Sequence, residues 1–345
     1  MENFKKIILP EDNGPHNETI EWWYFNGHLK TSDGDKYAFM DCLFKAKPSK
    51  LNIPYFRKIF RSRRDVYFAH TILSDMKNNR NYKEIQNISV LSKDSFKRPL
   101  LYANYCDVMS VASGYVNHEI MEISPGVFHI KTNNLDLLMT SRKKPLLENS
   151  IGYINDGEKY SYYYSLTDLE TRGKINVDGE WKDVSGKSWF DHQWANGVYN
   201  QDQWTWFSFQ MDNGTDIMCV EYNNGKTKDY LVDLIKKDGT QKHYKKVDFI
   251  PGEDYWHSRK TRAKYPLSWT IKIPEENLEL KVKSLMTDQE IIFGPINYWE
   301  GPVSVDGGVG FMELVGYPSN YSPFILAGKD LLRYIKKGLN KLLFL

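Results

Sequence analysis

The sequence predicts an all-β protein built from antiparallel barrels or sandwiches. Segments rich in Trp, Tyr, Phe, Val and Ile recur along the chain and stop at turn signals. These are Ser32-Asp33-Gly34-Asp35, Asp212-Asn213-Gly214-Thr215, Asn223-Asn224-Gly225 and Lys237-Asp238-Gly239. Asn-Gly and Asp-Gly pairs close tight hairpins because Gly accepts positive φ. Helical periodicity of any length is absent until the last residues, and many short strands with frequent turns point to a barrel or sandwich. The 345 residues exceed one typical domain, so two such units are expected.

Strand periodicity assigns faces. In Trp204-Thr205-Trp206-Phe207-Ser208-Phe209-Gln210-Met211, one face carries Thr205, Phe207, Phe209 and Met211, which is core. The other carries Trp204, Trp206, Ser208 and Gln210, the mixture expected of a cavity wall. After the turn, Glu221 shares a face with Ile217 and Cys219, opposite Met218, Val220 and Tyr222. With apolar residues on both faces, Glu221 is expected to be enclosed, and an enclosed carboxyl is either paired or protonated. Glu313, in Phe311-Met312-Glu313-Leu314-Val315, is expected to be enclosed in the same way. The tail from Leu331 to Leu345 spaces Leu331, Leu332, Ile335, Leu339, Leu342 and Leu343 at helical intervals among Arg333, Lys336, Lys337 and Lys341, the pattern of a basic amphipathic helix.

Three segments carry the chemistry. They are Glu21-Trp22-Trp23-Tyr24-Phe25-Asn26-Gly27-His28-Leu29, Ser188-Trp189-Phe190-Asp191-His192-Gln193-Trp194 and Tyr298-Trp299-Glu300-Gly301. Each sets ionisable groups among large aromatics. Dry surroundings push a carboxyl or imidazole toward its neutral form, which suits proton chemistry on an apolar substrate. The 10 Trp and 23 Tyr of the chain point to a large aromatic-lined cavity.

Composition narrows the partners. A net charge of +2 gives no global field for nucleic acid. No apolar run reaches the ~20 residues of a membrane span, and the N-terminal apolar stretch is too short for a signal peptide, so a cytoplasmic protein is expected. Cys42, Cys106 and Cys219 are far apart and odd in number, and the histidines are scattered without metal-ligand spacing, so no disulfide framework and no metal are expected. No Gly-rich phosphate loop appears, so no nucleotide cofactor is expected. Residues 45–64 hold Lys45, Lys47, Lys50, Arg57, Lys58, Arg61, Arg63 and Arg64 with no acid. Together with 329–345 they are the candidates for peripheral contact with an anionic membrane; a solvated loop and a helix packed on its own barrel are the competing readings.

With these motifs in place the chain resembles the carotenoid 1,2-hydratase (hydroxyneurosporene synthase) superfamily, which includes AttH-type proteins. The likeness rests on Glu21 to Leu29, on Trp189-Phe190-Asp191-His192-Gln193-Trp194, on Tyr298-Trp299-Glu300-Gly301-Pro302-Val303 and on Gly310 to Tyr317, over roughly residues 16–320. The resemblance implies two tandem lipocalin-like antiparallel β-barrel or sandwich domains with a short C-terminal amphipathic helix. The expected divisions are an extension over 1–15, domains over 16–190 and 191–320, and a tail over 321–345. It also implies a hydratase or isomerase acting on a terpenoid or polyene lipid without a cofactor, or a pericyclase, or a lipid carrier without turnover.

The family's acting His and Trp match His192 and Trp194. Its following Asp falls at Glu221, and Cys219 stands where the family has Tyr. On this reading Glu221 or charged His192 protonates a C=C bond, and Trp194, Trp204 and Trp206 steady the cation by about 2 kcal/mol. Asp191 orients His192 or faces solvent in a turn; neighbours on a strand point opposite ways, so both line one cavity only if the strand has ended. Trp22, Trp23, Tyr24, Cys219, Tyr298, Trp299, Glu300 and Glu313 complete the expected substrate-binding set, with Glu300 also read as a hydrogen-bond anchor.

Overall fold

The protein is described from a computed structural model covering residues 4–48, 65–110, 117–156, 159–197, 203–293, 296–317, 325, 327–332 and 336. Its first sheet has 12 strands. They are β1 (Ile20–Lys30), β2 (Lys36–Ala46), β3 (Val66–Asp75), β4 (Arg80–Leu91), β5 (Tyr102–Asp107), β6 (His118–Ser124), β7 (Val127–Lys131), β8 (Leu135–Ser141), β9 (Leu146–Leu147), β10 (Tyr153–Asp156), β11 (Lys159–Val177) and β12 (Glu180–Ala195). Neighbours run β10-β11-β12-β1-β2-β3-β4-β5-β6-β7-β8, and β11 also pairs with β8 from Leu169↔Ser141 to Ile175↔Leu135. That ladder closes a 10-strand barrel.

Ring contacts show which residues point into the lumen. Phe128 on β7 lies 5.7 Å from Phe25 on β1 and 5.1 Å from Phe190 on β12, and Phe25 lies 4.4 Å from Phe190. Strands that are not neighbours bring rings together only across the lumen. By alternation, Glu21, Trp23 and Phe25 then face inward on β1, as do Phe190, His192 and Trp194 on β12.

The second sheet is formed by β13 (Gln203–Met211), β14 (Asp216–Asn223), β15 (Lys228–Ile235), β16 (Gln241–Tyr244), β17 (Asp248–Pro251), β20 (Ser268–Ile273), β21 (Leu278–Ser284), β22 (Glu290–Phe293), β23 (Ile296–Val305) and β24 (Gly308–Val315), while β18 (Tyr255–His257) and β19 (Lys264–Pro266) make a separate ribbon. Its order is β16-β15-β14-β13-β24-β23-β21-β20-β17, with β22 on β23; it curls without closing. Phe207, Phe209, Ile217, Cys219, Trp299, Met312 and Leu314 belong to one apolar core on one face of this sheet. The hairpin signals act where the sequence places them: Gly214 (φ 79) turns β13 into β14, and Gly225 (φ 84) turns β14 into β15.

The chain divides into two compact units. One comprises Met1–Asp35, Met40–Leu73 and Tyr82–Val198; the other comprises Lys36–Phe39, Ser74–Asn81 and Tyr199–Leu345. The expected division after residue 190 falls inside β12, which continues to Ala195. Residues 327–332 are helical, with Asp330 buried and Leu331 and Leu332 exposed. Ile335, Leu339, Leu342 and Leu343 of the expected amphipathic face lie outside the described residues, as does 49–64 of the basic run. Among the described residues no helix is long and apolar enough to cross a membrane.

Candidate active site

The β1–β12 ladder aligns the two aromatic motifs. Glu21 lies opposite Trp194, Trp23 opposite His192 and Phe25 opposite Phe190. On the other side of β12, Tyr164 lies opposite His192 and Tyr162 opposite Trp194. One patch of barrel wall therefore gathers Glu21, His192 and the rings of Trp23, Trp194, Tyr162 and Tyr164. The N-terminal segment supplies the rest. Asn13 ends a 3-10 turn (Glu11–Asn13), and its carbonyl accepts the Trp23 Nε1–H at 2.8 Å.

Glu21 is fully buried and collects donors. Its carboxylate accepts the His16 backbone N–H at 3.0 and 2.9 Å, His16 Nδ1 at 2.7 Å, His192 Nε2 at 3.0 Å and Lys45 Nζ at 2.6 Å. Lys45 Nζ also donates to the His16 carbonyl. Burial alone raises the Glu21 pKa; the bonds from His16 and His192, the charge that His192 carries in acid and the charge of Lys45 outweigh it and hold the carboxyl at about 2. For His192, burial, helped by the charge of His16, pulls the pKa below its ordinary value against the opposing pull of Glu21 and of the Asp12 backbone. At neutral pH this is a carboxylate facing a neutral imidazole. An ionised carboxylate only accepts, so His192 carries its proton on Nε2 and its lone pair on Nδ1. Nδ1 lies 3.5 Å from the Tyr164 hydroxyl.

From there the polar groups continue across the lumen. The Tyr164 hydroxyl donates to Asn13 Oδ1, and Asn13 Nδ2 donates to Glu122 Oε2 on β6 at 2.8 Å. Glu122 Oε1 accepts the Gly126 N–H at 2.9 Å. Burial raises the Glu122 pKa, despite the bonds from Asn13 and Gly126. The His192 ring and a carboxyl that burial shifts toward its protonated form thus flank the Tyr164–Asn13 pair. Stacked rings exclude water around them: His16 lies 3.7 Å from Trp194, Tyr162 5.3 Å from Trp194, and Trp23 5.0 Å from His192.

The structure brings together His192, Trp194 and Trp23 from the expected set. It corrects several others. Asp191 neither orients His192 nor faces solvent; β12 continues through it and turns it to the opposite face. There Asp191 is buried, accepting Trp189 Nε1–H at 2.6 Å, Ser165 Oγ at 2.5 Å and the Tyr163 hydroxyl at 2.9 Å. Ser165 Oγ also lies 2.7 Å from Glu148 Oε1, so two buried carboxyls share the one proton of this hydroxyl. Burial, opposed by those hydrogen bonds, raises the Asp191 pKa to about 7, well toward its protonated form. Trp22 and Tyr24 share this opposite face of β1, half-buried and buried respectively.

Glu221 is not the carboxyl that meets His192; Glu21 is. Glu221 lies near the β14–β15 hairpin, where its side chain pairs with Lys228 at 3.2 Å. Cys219 and Trp299 belong to the apolar core of the second sheet rather than to a cavity wall. Trp204, Trp206, Tyr298, Glu300 and Glu313 lie on the opposite face of that sheet, with Glu313 directly between Trp206 and Glu300 in the ladders. Trp204 Nε1 donates to Glu313 at 3.2 Å. Lys45, expected in a basic loop, is buried against Glu21.

The sequence reading missed Glu21, His16, Lys45, Asn13, Glu122 and Tyr164 as site residues. Glu21 had a signal: it is the ionisable member of a β face whose next positions are Trp23 and Phe25. His16 and His192 come together through folding alone, and with Glu21 each places one ligand atom within 4.8 Å of the others, as in a metal-ligand set. Lys45 already places a positive charge against that carboxylate, and a second cation there meets its repulsion.

A sequence profile described as AttH-like matches residues 1–317. Over 165 residues the chain is 25% identical to dehydratase asqC of Emericella nidulans, a match covering 45% of this chain and 47% of that protein. The chain thus spans about half the length of that curated relative. The AttH protein NE1406 of Nitrosomonas europaea has a similar fold, with a TM-score of 0.72 at 24% identity over 92% of this chain and 98% of that one. Kievitone hydratase of Nectria haematococca gives 0.69 at 17% identity over 91% and 94%.

Proposed function

Because the chain belongs to the AttH-like family, we propose that it adds or removes water at a carbon–carbon double bond of a hydrophobic terpenoid or polyene. The observation that carries this reading is the buried Glu21–His192 pair under aromatic rings, with the Glu122 carboxyl across the lumen. The sequence match to a dehydratase and the fold match to a hydratase support the same reaction class.

The geometry favours His192 as a base over His192 as an acid. In the dehydrating direction, Nδ1 takes a proton from the carbon beside the carbinol, and that electron pair becomes the π bond. The C–O bond breaks, and the departing hydroxide takes the Glu122 proton and leaves as water. Glu21 steadies the imidazolium that forms, as a buried carboxylate does for a catalytic histidine. Hydration is the reverse. Only protons and water move, so the reaction itself calls for no redox or group-transfer cofactor. The substrate hydroxyl takes the place of the Asn13 amide between Tyr164 and Glu122. An activated C–H therefore suits this site better than an isolated alkene, which needs a strong acid.

The test is turnover in ¹⁸O-labelled water, with mass detection, over a panel of hydroxylated and unsaturated terpenoids, polyenes and prenyl lipids. Label gained in a hydroxyl, or lost from a labelled carbinol, supports the reading. Substrate bound and recovered intact makes the protein a carrier, and an isomer of unchanged mass makes it an isomerase or cyclase.

A further inference from the structure

The lumen holds a second group of ionisable side chains that water addition does not use. Asp41 on β2, Thr71 on β3, Glu84 on β4, Tyr105 on β5 and His118 on β6 come from five consecutive strands of the barrel. Tyr105 and His118 are direct cross-strand partners with ring centroids 5.4 Å apart. They share the inward face with Ala103, Ile120 and Glu122. The Thr71 hydroxyl donates to Asp41 Oδ1 at 2.6 Å, and His118 Nε2 lies 3.3 Å from Glu84 Oε2, out of hydrogen-bond alignment. Asp41 and Glu84 both act electrostatically on the Tyr105 phenol, and His118 acts on Asp41, so the group occupies one neighbourhood.

What sets it apart is unspent hydrogen-bonding capacity. Asp41, Tyr105 and His118 are 0%, 1% and 1% exposed. Yet Asp41 Oδ2, the Tyr105 hydroxyl and both His118 nitrogens have no hydrogen-bond partner among the described residues. Leaving a buried polar atom unpaired forfeits its hydration with nothing in return, so such atoms are few in folded proteins and their clustering calls for a guest. A hydroxyl fits them, because it donates once and accepts twice. A carboxylate or phosphate would meet Asp41 and Glu84. The inward neighbours Leu43, Ala69, Ala103 and Ile120 are buried and apolar. Asp41 and Lys45 share one face of β2, four residues or about 13 Å apart, so this group is separate from the Glu21 cluster.

We propose that Asp41, Tyr105 and His118 form a second binding site in the barrel lumen, for the hydroxyl group of an otherwise apolar ligand. The inference goes beyond water addition and does not depend on it. The test is calorimetric titration of the full chain with p-cresol and with toluene, which share a shape and differ by one hydroxyl. The expected result is p-cresol bound at least about tenfold more tightly, with the ratio falling below about threefold in Tyr105→Phe and in Asp41→Asn. His192→Gln, which ends water addition on the reading above, should leave the ratio unchanged.

Equal affinity for the two probes, as when only water fills the site, would overturn the proposal. So would saturable binding of neither, or an unchanged preference in Tyr105→Phe. A second readout needs no ligand. If the Tyr105 hydroxyl is unpaired in the folded protein, Tyr105→Phe holds or raises Tm; a fall of more than about 5 °C means the hydroxyl is already satisfied.

Discussion

Replacing Glu21 by Gln should cost about 3–5 kcal/mol of stability, because Lys45 then keeps a buried charge without its partner. Chemical denaturation of Glu21→Gln, Lys45→Met and the double variant checks this. The double variant should be more stable than the sum of the single losses predicts, with a coupling above about 1 kcal/mol. Asp191 and Glu21 act oppositely with pH. Asp191 sits at about 7, above its ordinary 3.8, so its contribution is complete below about pH 4 and is lost as pH rises through 7. Glu21 sits at about 2, below its ordinary 4.5, so its contribution is present above about pH 4.5 and is lost as pH falls through 2. Asp191→Asn should therefore flatten the decline in stability between pH 4 and 7 seen by denaturation of the parent chain; an unchanged slope would place the buried proton elsewhere. At this scale the sequence marked His192 and Trp194, since an imidazole and an indole two apart on a strand share a face. It could not mark Lys45 or His16 as partners of Glu21, because nothing local ties a lysine 24 residues away to a carboxyl.

The 3-10 turn at Glu11–Asn13 is tied to the site through Asn13, which joins Tyr164 to Glu122. Asn13→Ala should leave a phenol and a carboxyl without that partner and cost about 1–3 kcal/mol for each, read as a fall in the denaturation midpoint. If Asn13 also stands where a substrate hydroxyl binds, the same variant should lower KM while reducing stability, a combination that a purely structural role would not give. Strand alternation was legible in detail: Phe207 and Phe209 face the apolar core, and Trp204 and Trp206 face away from it. It misled at Glu221, which has core parity but lies near a hairpin where the strand leaves the core and Lys228 is at hand. Turn chemistry fixes local hairpins such as β13–β14. The β1–β12 ladder that makes the site joins residues 171 apart, beyond the reach of any turn signal.

Across the whole molecule, two β units were readable from length, turn spacing and the absence of helices. Closure of the first sheet and curling of the second were not, because closure depends on the β8–β11 pairing and its register rather than on any segment's pattern. Nor was the discontinuity of the units, in which Lys36–Phe39 and Ser74–Asn81 group with the C-terminal half. The first barrel keeps the His192 imidazole on the Glu21 carboxylate out of water. With His192 as the base, His192→Gln should lower kcat by about 10²–10⁴-fold in the ¹⁸O assay with little change in Tm. The most direct test is ¹⁵N NMR of histidine-labelled protein at pH 7, with His192 assigned by its loss in His192→Gln. The predicted result is a neutral His192 ring protonated on Nε2 and bare on Nδ1. An imidazolium at pH 7, or a proton on Nδ1 alone, would contradict it.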